Sequence, residues 1–368
     1  MAEKKPLFSE TISFLRFPLA FLVVMIHNNP LGIQTLFTDN DPSFYANYPI
    51  YMHIYHAITD SVARLAVPLF FFFSGFLFFL KFVKNREQKQ VITPTGYYWG
   101  KIKKSINSLV ITYFVWNLIF IAFTFLIQVF LKNHLQGNQL LYEDYKLMDW
   151  LKLIWYPTDS PLWFIRDLFI VNICSLPLYY ILKNRYTGLI IIAALLCKWF
   201  FLDKWFWGLM ECDSFLFFSI GAYMCIHGRD FTKYRRIISK PALSIYLILI
   251  FVEAYIWANG SPFTYRLEQL MILIGMCMAV SCASIYIENP EHKWNRNLAK
   301  TSFFIYVLHN MPLVIILRVY GMLVPQNEWT LLLGFVVFPI ITIAIVLIVF
   351  KFMEQKTPKL FGVLNGNR

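Results

Sequence analysis

Residues 8–30, FSETISFLRFPLAFLVVMIHNNP, decide the architecture. They form an apolar run of bilayer-spanning length, interrupted by Arg16 and His27 and stopped by Asn28-Asn29-Pro30. A spanning helix needs about 20 mostly apolar residues. Eleven residues separate Arg16 from His27. At about 100° and ~1.5 Å per residue their side chains share one helix face, about 20° apart and roughly 16 Å along the axis. That is about half the hydrocarbon thickness of a bilayer. A cation and a titratable base on one stripe of a membrane helix need a polar interior to face.

The composition agrees. Of 368 residues, 58% are hydrophobic and 15% charged, with a mean hydropathy of +0.55. A soluble domain cannot bury that much apolar surface, so the bilayer is the solvent. Stretches of spanning length run over 9–28, 62–80, 106–131, 161–182, 187–202, 212–228, 241–258, 266–287, 301–321 and 329–352. The expected fold is an all-α integral membrane protein of about ten transmembrane helices, a single membrane domain over residues 1–368. The first run has no small-residue cleavage site after it and is read as a retained span.

The net charge of +12 invites a nucleic-acid reading, but the positions of the charges oppose it. With an inside N-terminus, inside segments hold 23 of the 33 basic residues, including the Lys81–Lys104 and Arg229–Lys240 clusters. The outside loops hold Lys132, Lys146, Lys152, Lys198 and Lys204, and carry acids such as Asp39, Asp41, Asp60, Glu143, Asp144, Asp149 and Asp159. That asymmetry predicts cytoplasmic N- and C-termini and explains the basic pI without nucleic acid. Lys101, Lys103 and Lys104 read as a contact to anionic membrane lipids, or else to donor phosphates. The six cysteines show no CxxC or His-Cys spacing, so no metal site is expected and they read as small packing residues.

Other polar residues stand out. Arg16 either snorkels to the inner headgroups or faces the interior, and the face it shares with His27 favours the interior. A neutral imidazole is the natural proton acceptor for a hydroxyl nucleophile. Arg64 precedes Pro68 and Ser74-Gly75, the last two suited to close helix approach or to a pocket. Pro161 suits a first helical turn, Trp163 an outer interface, and Arg166 and Asp167 follow. Being adjacent, these last two are expected to point about 100° apart and to find separate partners in a polar network. His309 lies eight residues into the ninth expected span, where burial favours a hydrogen-bonding role. Glu253 and Glu268 read as helix-pair contacts, and His53 and His56 as residues of the outside loop 28–61.

Arg16 and His27 in the first of ten spans resemble the pattern of the membrane acyltransferase family 3. Three segments agree with it: Arg64 with Pro68 to Phe76, Pro161-Leu162-Trp163-Phe164-Ile165-Arg166, and Phe304-Ile305-Tyr306-Val307-Leu308-His309. The resemblance implies a multi-pass enzyme of the bacterial cytoplasmic (inner) membrane. It would be an O-acyltransferase, usually an O-acetyltransferase, carrying an acyl group from acetyl-CoA or another acyl-CoA to a hydroxyl of a surface glycan or lipid-linked sugar. Acyl-CoA would be a substrate, with no permanently bound cofactor. Arg16 and His27 would be the essential catalytic pair; Arg64, Arg166, Trp163, Ser74 and His309 would line the acyl-donor pocket. His27 could act as a general base or form an acyl-histidine. The alternative is a transporter or polysaccharide export factor, against which the lack of repeated halves argues.

Overall fold

The computed structural model describes residues 6–31, 47–88, 93–131, 145–202, 205–206, 209–261 and 263–367. Nearly all of these are helical. The helices are α1 Leu7–His27, α2 Pro49–His56, α3 Ala66–Glu87, α4 Pro94–Ser105, α5 Ile111–Leu131, α6 Leu147–Trp155, α7 Trp163–Ile173 and α8 Ser175–Leu182. They continue with α9 Arg185–Phe201, α10 Cys212–Ile226, α11 Arg235–Ala258, α12 Thr264–Glu288, α13 Leu298–Leu308, α14 Asn310–Leu323, α15 Glu328–Lys356 and α16 Pro358–Leu364. One short antiparallel pairing joins Trp205–Phe206 to Met210–Glu211.

Among the described residues, six helical stretches are long and apolar enough to cross a membrane: Leu7–His27, Pro49–Asn85, Pro94–Ile127, Phe231–Ala258, Thr264–Glu288 and Glu328–Lys356. Two bent pairs, α7 with α8 and α13 with α14, raise the number to eight if each pair is one span. The expected spans 187–202 and 212–228 fall on α9 and α10, which have 17 and 15 residues. Both are short for a bilayer crossing.

The bends have a sequence cause. Pro177 cannot donate to the carbonyl of Ile173, nor Pro312 to that of Leu308, and a proline ring also crowds the carbonyl four residues back. The chain turns by 58° between α7 and α8 and by 60° between α13 and α14, at those carbonyls. Apolar composition runs through both bends, so hydropathy alone reads each pair as one straight helix.

The expected outside loops need correcting. Residues 49–62 are helical, with α2 leading through a π-helical turn, Ala57–Val62, towards α3. His56, Asp60 and Arg64 stand four residues apart, and Asp60 pairs with both neighbours, at 2.5 Å to His56 and 3.0 Å to Arg64. Such spacing supports a helix whose polarity hides it from a hydropathy profile. Residues 147–155 are likewise helical, as α6. The expected loop acids Asp39, Asp41, Glu143 and Asp144 lie outside the described residues.

The chain packs as two compact units, one of residues 1–26, 52–102 and 170–302, the other of residues 27–51, 103–169 and 303–368. In the first, α3 and α10 cross with backbones in contact. A methyl group added to Gly75 would stand 2.0 Å from the Phe218 carbonyl oxygen, and one on Gly221 2.0 Å from that of Phe72. Small residues on both helices let them approach this closely. Helices α11 and α12 join at Gly260, whose φ of +64° is strained for other residues. In the second unit Phe304 packs among Trp116, Phe350 and Phe361, and the Trp116 indole donates to the Leu364 carbonyl at 2.9 Å.

Replacing Gly75 or Gly221 by alanine should destabilise the protein by about 1–3 kcal/mol or more, because rigid backbone and not a side-chain tip would have to move. Gly100, with nothing within 4 Å of an added methyl, is the control. Thermal unfolding of the three variants in detergent should lower Tm for the first two and leave Gly100→Ala unchanged or slightly stabilised.

Candidate functional site

His27 is the last residue of α1, and two asparagines fix the chain where the helix stops. Asn28, fully buried, donates from Nδ2 to the Phe335 carbonyl at 2.8 Å and the Gly334 carbonyl at 3.4 Å. Asn29 Oδ1 accepts from the Tyr51 hydroxyl at 3.0 Å and the Leu31 amide at 3.1 Å. Helix α15 and the start of α2 thereby hold the end of α1, and His27 with it. Glu328 joins them too, accepting from the Tyr51 amide at 2.7 Å and the Ile50 amide at 3.0 Å in the first turn of α2.

Facing His27 is His309, at the break between α13 and α14. The ring centroids are 5.3 Å apart with a 45° tilt, within edge-contact range. His309 is fully buried. Its Nδ1 lies 2.8 Å from the Tyr306 carbonyl oxygen and 3.1 Å from that of Ile305. Carbonyls only accept, so Nδ1 carries the hydrogen and the Nε2 lone pair is free. Nε2 is buried with no hydrogen-bond partner among the described residues. His27 itself is half-buried, so the pair has one sequestered member and one partly exposed.

The segment before α7 is tied to the same break. Asn310 Nδ2 donates to Asp159 Oδ1 at 2.8 Å, and the Tyr306 hydroxyl donates to the Pro161 carbonyl. The expected pocket segment thus packs on residues 306–310, with Phe164 edge-on to Tyr306 at 5.3 Å. Trp163 is half-buried beside Phe164. Arg166 departs from expectation. Its Nε and Nη2 both reach Asp167 Oδ1, at 2.9 and 2.8 Å, so the adjacent pair does neutralise itself. The long side chain bends back across the 100° between the two Cβ directions. A third donor, Nη1, goes to the Trp155 carbonyl at 2.8 Å.

The remaining expected site residues belong to the other unit. Arg16 departs from the expected interior position: its side chain is exposed and makes no ion pair or hydrogen bond among the described residues, although Ala20, Val23 and Val24 above it on the same side of α1 are buried. Arg64 pairs with Asp60 and with Glu268, the latter at 2.9 Å. Fully buried Glu253 adds a third carboxylate, accepting from Ser61 Oγ at 3.3 Å. His56 lies against Trp257, the ring centroids 4.0 Å apart with a 32° tilt. Ser74 is half-buried beside the tight crossing at Gly75. The six cysteines are free, and no group of three or more His, Cys, Asp or Glu among the described residues could hold a metal.

The structure therefore joins His27 to His309, a residue that ranks low on sequence alone, and adds Asn28, Asp159 and Asn310, which sequence reading missed. Pro312, three residues past His309, was the available signal for the break. Asn28 could have been read only as a helix stop.

A family model described as an acyltransferase domain matches residues 10–351. No curated protein and no solved structure matches the chain.

Asp159, 2% exposed and just outside the bent span, gives a pH test. Burial pushes its carboxyl up to about 7, against the opposing pull of the Asn310 amide. A carboxyl with a folded pKa above its unfolded value of about 4 binds more protons when folded. Its contribution is thus fully present at acid pH and lost as pH rises from about 4 through 7. Asp159→Asn keeps the accepting oxygen and cannot ionise. The wild-type Tm in detergent should fall more steeply than that of the variant across this window, and parallel curves would contradict the assignment.

Proposed function

The chain belongs to the membrane acyltransferase family whose model spans residues 10–351, and from that premise we propose that it transfers an acyl group, most simply acetyl, from acyl-CoA to a hydroxyl of a cell-surface or lipid-linked polysaccharide. The observation that carries the reading is His27 set against the buried imidazole of His309. The setting is the bacterial inner membrane with both termini cytoplasmic, a topology of about ten crossings that the lysine and arginine distribution supports.

The chemistry needs a base near the acceptor and a cation near the donor. His309 is held with its Nε2 lone pair available, so it can accept the N–H of the His27 ring and leave the other His27 nitrogen as the base. His27 then removes the hydroxyl proton while the oxygen attacks the thioester carbonyl carbon. As the tetrahedral intermediate collapses, the carbon–sulfur bond breaks and His27 returns the proton to the departing CoA thiolate. Arg16 stands roughly 16 Å nearer the expected cytoplasmic end of the same helix. As the uncompensated cation of α1, it is the residue for the anionic donor.

Three variants test this reading through release of free CoA from acetyl-CoA when glycan is supplied. His27→Ala should lose acyl transfer by about 10²–10⁴-fold or more while the protein still inserts and accumulates. Full activity in that variant would refute the assignment. His309→Ala should lower kcat with KM for acetyl-CoA unchanged, the signature of an interaction made in the transition state. Arg16→Ala should raise KM for acetyl-CoA.

A further inference from the structure

Between α5 and α14, within one packed unit, lies a cleft of about 260 Å³. Phe123, Leu126 and Ile127 line one side and Ile315 and Val319 the other. These positions recur every three or four residues, so each helix offers one apolar face. Leu126, Ile315 and Val319 are each about half exposed, so the cleft opens at the membrane-facing surface of its unit. Arg318 is the one charged side chain among the described lining residues. It forms no ion pair among the described residues, and its Nη1 is buried without a hydrogen-bond partner.

An unmatched guanidinium nitrogen against hydrocarbon is costly, because the two N–H donors of Nη1 have been withdrawn from water without return, while the rest of the half-buried side chain stays within reach of a headgroup. Structural arginines elsewhere in this chain avoid that cost: Arg64 and Arg166 each take carboxylate partners. Arg318 lies nine residues beyond His309, half a turn away around α14, so its cleft is separate from the histidine pair. It also lies five residues before the end of α14, roughly 8 Å from the helix end and nearer headgroup depth than the bilayer centre.

We propose that this cleft binds one phosphate-bearing membrane amphiphile, with the phosphate on Arg318 and its chain along the apolar wall of α5. The planar guanidinium matches the paired oxygens of a phosphate. The cleft is smaller than the ~300–1,000 Å³ that encloses a whole drug-sized ligand, so it takes a length of chain with the head outside. A bilayer phospholipid and a polyprenyl phosphate that carries sugars share this chemistry. The inference stands independently of the acyl-transfer reading.

Native mass spectrometry of the full-length protein in detergent decides it, with phosphatidylglycerol, a long polyprenyl phosphate or phosphate-free diacylglycerol added separately. The wild type should retain one phosphate-bearing molecule per chain and no diacylglycerol. Preference for phosphatidylglycerol would identify a bilayer lipid, and preference for the polyprenyl phosphate a sugar carrier. Arg318→Gln should bind at least about tenfold more weakly. Leu126→Trp, which fills the cleft and leaves the charge intact, should weaken binding similarly, and it decides the matter alone if Arg318→Gln fails to fold. Wild-type retention in the folded variants, or equal retention of diacylglycerol, would overturn the proposal.

Discussion

A backbone carbonyl in hydrocarbon has no water to turn to, so a helix that crosses a membrane can be broken only where something else satisfies it. Pro312 breaks α13 from α14, and the rest of the candidate site follows from that break. The 60° turn lets the imidazole of residue 309 lie back on the carbonyls of Ile305 and Tyr306. Those two contacts fix the tautomer and leave the far nitrogen as an acceptor. The same turn puts Asn310 on Asp159 and Tyr306 on the Pro161 carbonyl, so the buried segment that leads into α7 is anchored to the bend. His27 meets this arrangement from α1, held by Asn28 and Asn29.

Charge inside the apolar body follows a comparable economy. A lone charge near a bilayer centre costs about 2.5–3.5 kcal/mol on insertion scales. Arg166 is neutralised by its own neighbour, and Arg64 by carboxylates from its own helix and from α12. These two arginines have their partners inside the fold, so their charge is already committed to structure. Arg16 and Arg318 have no such partner among the described residues. Each is a cation without an internal counter-ion, which leaves room for an anion from outside.

Much of this was legible in the sequence, and the failures have physical causes. The apolar runs located the long helices, since length and hydropathy are what a bilayer selects. Arg16 and His27 read as a pair on helical spacing alone; α1 does run through both, but Arg16 is exposed and His27 half-buried, which no spacing rule encodes. His309 was visible as a buried polar residue, but its approach to His27 joins residues 27 and 309 through tertiary packing, which no local spacing encodes. The helical character of 49–62 was hidden because its supporting pairs are polar. The Arg166–Asp167 contact escapes Cβ directions because a long, flexible guanidinium side chain can reach back across them.

The two bent spans differ in the side chain that lies at the bend. At the α7–α8 break the residue is Cys174, and the carbonyl that Pro177 leaves free, on Ile173, accepts from the Tyr98 hydroxyl at 2.9 Å. That break is closed by a tyrosine hydroxyl that donates to the freed carbonyl. At the α13–α14 break an imidazole lies back on the carbonyls of Ile305 and Tyr306 in the turn before the bend, and only one of its two nitrogens is used there. The second remains buried beside another imidazole that is partly open to solvent. A hydroxyl cap can stabilise a kink but has no second nitrogen to offer, whereas a histidine cap leaves an acceptor fixed in direction and sheltered from water. That difference in side chain is what makes the α13–α14 bend, and not the α7–α8 bend, the candidate site.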